Sequence, residues 1–106
     1  MALEDEKCMA CEGGIEPLTI EEAAKLGEQV HGWTIKEKSI ERTFKFINFA
    51  HAMEFANKVA VIAEEENHHP EMRISWGRVI IELHTHAIGG LSINDFIVAA
   101  KINRLL

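Results

Sequence analysis

The histidines are the side chains of this sequence best suited to chemistry, and six of them occur in 106 residues. Two precede a proline as His68-His69-Pro70, and two more, His84 and His86, follow in the chain. An imidazole has an ordinary pKa of about 6.5, so it can give or accept a proton near neutral pH. A group of imidazoles can therefore act in metal-free general acid and base catalysis, or it can hold a metal ion such as zinc.

The spacing of possible ligands favours proton transfer over metal binding. The HExxH and HxxEH patterns are absent, and no carboxylate or thiolate lies at metal-ligand spacing from the histidines. Cys8 and Cys11 supply two thiols, whereas a closed zinc site needs four ligands, and a redox role would need a thioredoxin-like context. We therefore expect no metal site and no cofactor. For any two histidines taken alone, a polar loop or an exposed strand end is the structural alternative.

The elements that must position these histidines are predicted by capping residues and by the spacing of apolar residues. Thr19, Asn48 and Ser92 each precede a helical pattern, as N-cap residues do, and alternating apolar residues predict strands between the helices. The predicted helices cover 20–30, 49–67 and 93–104, and the predicted strands cover 33–35, 40–46, 72–76 and 79–86. This order predicts an α+β fold with two layers, in which three helices pack on one face of a four-stranded antiparallel sheet.

The predicted elements also indicate where the histidines meet. His68 and His69 lie where a helix gives way to a strand, and His84 and His86 lie on one face at the end of the last strand. If the two hairpins share one sheet, both pairs of imidazoles can approach one site.

The size and charge of the chain restrict its number of domains and the classes of ligand that it can bind. Its 106 residues suffice for one domain, which we place at 18–106 after a flexible N-terminal arm at 1–17. The 11 basic and 17 acidic residues give a net charge of −6, which argues against nucleic acid as a ligand. No apolar run approaches the roughly 20 residues of a membrane span, and the acidic start lacks the apolar region of a secretory signal. Two cysteines are too few for a disulfide framework, so we expect a cytoplasmic protein with no membrane contact.

Taken together, these features resemble the pterin-4a-carbinolamine dehydratase family over 18–103. The most specific part is the sequence EEENHHP at 64–70, followed by Thr85-His86 and then by Gly90-Leu91-Ser92. Further matches are Gly32-Trp33, Trp76, Val79 and Asp95. The chain departs from the family at Met72, where an aromatic residue is frequent, and at His84, which is an additional imidazole.

The resemblance implies an enzyme, a hydro-lyase that dehydrates a 4a-hydroxytetrahydropterin to the quinonoid dihydropterin. This reaction recycles the pterin cofactor of aromatic amino acid hydroxylases, so such a hydroxylase is a candidate partner. The hydroxyl on C4a leaves readily once it is protonated, and N5 loses its proton as the C4a–N5 double bond forms. Both transfers suit imidazoles and need no metal. The resemblance also implies a homodimer or homotetramer.

Three histidines receive roles from the resemblance. His68 and His86 match the proton-transfer histidines of the family, and His69 matches the histidine that holds the pterin. These three are the predicted catalytic residues. The resemblance does not divide the acid role from the base role between His68 and His86.

Four further residues are predicted to bind substrate on the same ground. They are Trp33, Glu64, Pro70 and Asp95. Three of them have a structural alternative: Trp33 as a core residue, Glu64 as surface charge, and Asp95 as part of a Ser92-x-x-Asp95 cap of the last helix.

Two other functions are compatible with the resemblance. Animal relatives serve as dimerisation cofactors for a homeodomain transcription factor, so a protein-binding role is one alternative. A role with another pterin, such as in molybdenum cofactor metabolism, is the second. An enzyme requires His68, His69 and His86, whereas a binding module could lose all three and still assemble.

Overall fold

Three α-helices, four β-strands and two short 3-10 turns make up the part of the chain described by the structure, a computed structural model covering residues 2–9 and 16–106. The helices are α1 (Ile20–Gly27), α2 (Phe49–Glu66) and α3 (Ile93–Asn103). The strands are β1 (Thr34–Ile35), β2 (Ile40–Lys45), β3 (Glu71–Ser75) and β4 (Arg78–Leu83), and the 3-10 turns cover Leu3–Asp5 and His86–Ile88.

The strands form one sheet in the order β1-β2-β4-β3, and every neighbouring pair is antiparallel. Side chains alternate between the two faces, so Ile40 pairs with Leu83, and Phe44 pairs with Val79, on the buried face. The opposite face carries Thr43 and other residues that keep solvent contact. The predicted α+β fold with a four-stranded antiparallel sheet and three helices is therefore confirmed.

Local capping explains where the helices begin. Thr19 and Glu22 form the expected capping box at the start of α1, and the Asn48 side chain accepts a hydrogen bond from the His51 N–H at the start of α2. Ser92 caps α3 in the same way, with Asp95 as its reciprocal partner. These caps satisfy N–H groups that have no partner within a helix.

Six elements are shorter than their sequence patterns predicted, and the contacts at α1, β1 and β4 give the reasons for these three. α1 ends at Gly27, because the next residues form tighter turns in which the N–H of Val30 donates to the Gly27 carbonyl. β1 keeps only two residues before the chain turns at 36–39. β4 ends at Leu83, and the chain then forms an isolated bridge between Thr85 and Gly90.

The N-terminal segment, which we define as residues 2–9, packs on the domain instead of forming the expected flexible arm. Leu3 is 2% exposed and belongs to the hydrophobic core. The Lys101 ammonium donates to the Glu4 carbonyl at 2.9 Å, and Arg104 donates to Asp5 at 3.2 Å. Apolar burial and these long-range hydrogen bonds explain the docking. Residues 1 and 10–15 of the predicted arm lie outside the described residues. Among the helices that are described, none has the length and apolarity to cross a membrane.

Candidate active site

An open cleft of about 710 Å³ lies where α2 gives way to β3 and where β4 ends. It brings together His68, His69, His84 and His86 from the two ends of the second hairpin. The remaining lining residues are Cys8, Met9, Glu65, Glu66, Asn67, Pro70, Glu71, Thr85, Ala87 and Asn94. The antiparallel pairing of β3 with β4 produces this convergence, since the start of β3 lies beside the end of β4.

His68 is held by a buried carboxylate. Its Nε2 atom lies 2.6 Å from Oδ1 of Asp95, and the imidazole is 13% exposed whereas Asp95 is 0% exposed. The second oxygen of Asp95 accepts hydrogen bonds from the Thr85 hydroxyl at 2.8 Å and from the Ser92 N–H at 3.0 Å. One side chain therefore caps α3 and holds His68, whereas the sequence presented the cap as the alternative to substrate binding. Because Asp95 is fully buried, it acts on the cleft through His68.

The end of α2 positions the paired histidines. Asn67 adopts a left-handed conformation with φ of 50°, and the N–H of His68 donates to the Ala63 carbonyl at 3.1 Å. This left-handed cap ends the helix and turns both imidazoles towards the start of β3. Nε2 of His69 donates to the carboxylate of Glu64 one helical turn back. Glu64 therefore supports His69, and Pro70 lines the cleft beside it.

His84 and His86 form a pair on the other side of the cleft. Nε2 of His84 lies 3.1 Å from Nδ1 of His86, and the ring centroids are 3.9 Å apart. Thr85, between them, points inwards to Asp95 and is buried. Its two neighbours consequently point outwards, as alternation in extended backbone requires. The sequence indicated that these two histidines share a face, although it placed both of them in the strand.

The N-terminal segment closes one side of the cleft, and the sequence did not predict this. The N–H of Cys8 donates to Oε1 of Glu66 at 2.8 Å, and the N–H of Met9 donates to Oδ1 of Asn94 at 3.1 Å. Glu66 lies two residues before His68, and Asn94 lies one residue before Asp95. Leu3 is apolar and directly precedes the acidic residues Glu4, Asp5 and Glu6, but this pattern does not by itself predict docking.

Two groups in this contact have shifted pKa values. Burial raises the pKa of Glu66, but the Cys8 N–H and the charges of Lys101 and Lys7 outweigh burial and hold that pKa below its ordinary value of 4.5. Burial, followed by the nearby Glu66 charge, raises the pKa of the Cys8 thiol to about 12. Cys8 therefore stays protonated near neutral pH and is a poor nucleophile or metal ligand.

Trp33 lies outside the cleft. It is 8% exposed, its Nε1–H donates to Oδ1 of Asn103 at 2.8 Å, and its ring meets Phe44 edge-on. The turn after α1 carries it onto α3 at the far side of the domain, where it fills core space.

The metal alternative has no candidate site in residues 2–9 and 16–106, where no group of three or more His, Cys, Asp or Glu residues could hold an ion. Cys11, the second thiol of the predicted pair, lies outside these ranges.

The fold and the cleft define a class: small α+β domains whose antiparallel sheet carries an imidazole-lined site at one end. The chain belongs to the pterin 4 alpha carbinolamine dehydratase family, whose sequence model matches residues 16–105. A relative from Nitrosomonas eutropha is 49% identical over 98% of this chain and 93% of its own length. One from Rubrobacter xylanophilus is 44% identical over 97% of both chains. Both carry the name pterin-4-alpha-carbinolamine dehydratase as a provisional assignment.

Solved structures agree with this membership. A transcriptional coactivator/pterin dehydratase from Brucella melitensis superposes with a TM-score of 0.80 at 33% identity, over 85% of this chain and 98% of that one. A pterin dehydratase-like protein identified as a RuBisCO assembly factor in the alpha-carboxysome superposes with a TM-score of 0.58 at 23% identity, over 69% of this chain and 84% of that one. The second likeness concerns the fold alone.

Proposed function

We propose that this chain dehydrates a 4a-hydroxytetrahydropterin to the quinonoid dihydropterin by proton transfer between histidines, without a metal. In this role it recycles the pterin cofactor of aromatic amino acid hydroxylases. The observation that carries the proposal is the convergence of four imidazoles on one cleft, with His68 fixed by the buried Asp95.

The cleft suits a flat, largely neutral ring. Its volume of about 710 Å³ is in the range of roughly 300–1,000 Å³ that is usual for small-molecule sites. Met9, Pro70 and Ala87 contribute apolar surface, whereas the imidazoles contribute polar contacts. His69, supported by Glu64, is the residue that we expect to hold the pterin.

The reaction requires one acid and one base. The acid protonates the hydroxyl on C4a, which leaves as water, and the base removes the proton from N5 while the lone pair of N5 forms the C4a–N5 double bond. After the water has left, the acid has lost one proton and the base has gained one proton. Proton exchange with solvent then restores both, so the net change is the loss of one water molecule.

The hydrogen bonds of His68 and His86 suggest how the two roles divide. A carboxylate only accepts hydrogen bonds, so Nε2 of His68 carries the proton that it shares with Asp95. In the neutral ring Nδ1 then has the free lone pair, which makes His68 the base for N5. His86 is exposed and is the remaining proton-transfer histidine, so we assign it the acid role.

Turnover of 4a-hydroxytetrahydropterin generated in situ tests the proposal. The wild-type chain should exceed the uncatalysed rate, and His86→Ala should lose roughly 10²–10⁴-fold in kcat, the usual contribution of general acid–base catalysis. His69→Ala should raise KM more than it lowers kcat. His31→Ala is the matched control, because His31 is exposed and does not line the cleft.

Equal rates for wild type, His69→Ala and His86→Ala would refute the assignment of these histidines. Metal analysis is the companion measurement. Stoichiometric zinc, removed by a chelator together with the activity, would replace the metal-free mechanism with a metal-dependent one.

A protein-binding role is the alternative function, because the Brucella melitensis protein is described as a transcriptional coactivator as well as a dehydratase. This alternative predicts that a variant with both His69 and His86 replaced still binds its protein partner, although it no longer turns over the pterin. A role with another pterin predicts instead that wild type shows no turnover of the hydroxylated substrate but binds a different pterin.

The proposal includes a homodimer or homotetramer in the cytoplasm, with an aromatic amino acid hydroxylase as a candidate partner. Light scattering on the purified chain would measure the subunit number. Coupled assays with a hydroxylase would show whether its pterin turnover accelerates when the chain is added.

A further inference from the structure

His84 has no role in the reaction as proposed above, yet it makes a close contact with a residue that does. Its Nε2 atom lies 3.1 Å from Nδ1 of His86, and the two rings meet nearly edge-on with an interplanar angle of 60°. Both rings line the cleft. Thr85 keeps them there, because its side chain is tied to Asp95 and its N–H donates to the Gly90 carbonyl at 2.8 Å.

This contact constrains which nitrogen of His86 can serve the substrate. A hydrogen bond between two imidazoles needs one N–H and one lone pair. With Nδ1 of His86 engaged by His84, Nε2 of His86 is the atom left to exchange a proton with a ligand. When His84 is the donor, the proton of a neutral His86 resides on Nε2, as a general acid requires.

We propose that His84 is a positioning residue for His86 and passes protons to it. The inference rests on the proposed function, since it assumes that His86 protonates the leaving hydroxyl. His84 begins as the imidazolium, with Nε2–H donating to Nδ1 of a neutral His86. As Nε2 of His86 gives its proton to the hydroxyl, Nδ1 takes the proton of His84. Water leaves, and both imidazoles are then neutral.

The return step balances the cycle. After product release a solvent proton adds to Nε2 of His86, and the proton on Nδ1 returns to His84. One proton enters the pair for each water released, which matches the one proton that His68 takes from N5 and gives up to solvent. The relay needs no oxidant, reductant or further reactant.

Chemical rescue distinguishes this role from simple packing. His84→Ala and His84→Phe should each lower kcat about tenfold or more while KM changes little, because both remove the hydrogen bond and Phe keeps a ring of similar shape. Free imidazole should restore the rate of His84→Ala in a concentration-dependent manner and leave wild type unchanged. Thermal unfolding of each variant identifies any loss of fold.

The outcomes separate this inference from the proposed function. If wild type is active and His86→Ala is impaired, but His84→Phe turns over like wild type, the relay is refuted and the proposed function stands. An impaired His84→Ala variant that free imidazole does not rescue also refutes the relay. If wild type shows no turnover at all, the proposed function itself fails.

Discussion

The hydroxyl of Thr85 donates a 2.8 Å hydrogen bond to Asp95, the carboxylate whose other oxygen lies 2.6 Å from His68. Thr85 lies between His84 and His86 in the chain, so this one bond ties together the two sides of the cleft. The carboxylate is fully buried, and burial of such a group is tolerated only when its hydrogen bonds are satisfied. The geometry of the site therefore depends on the same contacts that stabilise the start of α3.

Replacing Thr85 with Val should impair both stability and turnover. The change keeps the side-chain shape but leaves Oδ2 of Asp95 without one donor, which costs about 1–3 kcal/mol for a buried group. Urea unfolding measures that loss of stability. We also expect kcat to fall, because the hydrogen bond from Thr85 to Asp95 no longer holds His84 and His86 in position. Thr85→Ser, which keeps the hydroxyl, should retain most of both. Wild-type stability in Thr85→Val would show that the hydrogen bond from Thr85 to Asp95 does not stabilise the fold.

Asp95→Asn tests the orientation of His68 without changing the size of the side chain. An amide can present an N–H where the carboxylate only accepts, so it no longer requires the Nε2–H form of His68. We expect kcat to fall about tenfold or more, the scale seen when an orienting partner is removed, with KM little changed. Circular dichroism should show a folded protein. A kcat equal to that of wild type would show that Asp95 serves only as a helix cap.

The lowered pKa of Glu66 predicts an acid-sensitive contribution to stability. Its pKa lies below 4.5 in the folded protein, so this contribution is fully present above the unfolded-state pKa and is lost as the pH falls through the folded-state value. Denaturant unfolding from neutral pH into this acid range should therefore show a steeper loss for wild type than for Glu66→Gln. Glu65→Gln, at an exposed neighbouring position, is the control and should follow wild type. Parallel curves for all three proteins would contradict the prediction.

The Cys8 thiol should be unreactive in the folded protein. Burial and the Glu66 charge raise its pKa to about 12, so almost no thiolate is present near neutral pH. In a Cys11→Ser variant, alkylation of the remaining thiol should be slow under native conditions and fast after unfolding in denaturant. Fast native alkylation would show that the N-terminal segment does not stay docked on Glu66 and Asn94.

Much of the fold could be predicted because its signals are local. The caps at Thr19, Asn48 and Ser92 fix where helices begin, and the alternation in 79–83 identifies the face of β4 that is buried. The convergence of the histidines also follows once the second hairpin is recognised as antiparallel. These features require information from only a few neighbouring residues.

The remaining features depend on contacts between distant parts of the chain. The N–H of Cys8 donates to Glu66, which is 58 positions away in the sequence, and the N–H of Met9 donates to Asn94, which is 85 positions away. For this reason no local pattern indicated that the N-terminal segment docks on the domain. For the same reason the sequence left open whether Trp33 binds substrate or fills the core, since its partner Asn103 is 70 positions away. The 3-10 turn at His86–Ile88 follows from the Thr85–Gly90 bridge, which alternation alone does not predict.

A reduced pterin should bind among the imidazoles at the end of the sheet, and NMR titration with a stable dihydropterin is the sharpest check of this binding. We expect saturable shifts in the ring signals of His68, His69, His84 and His86, with the indole signal of Trp33 unchanged. Saturable shifts confined to Trp33 and its surroundings, or no shifts at the four histidines, would contradict it.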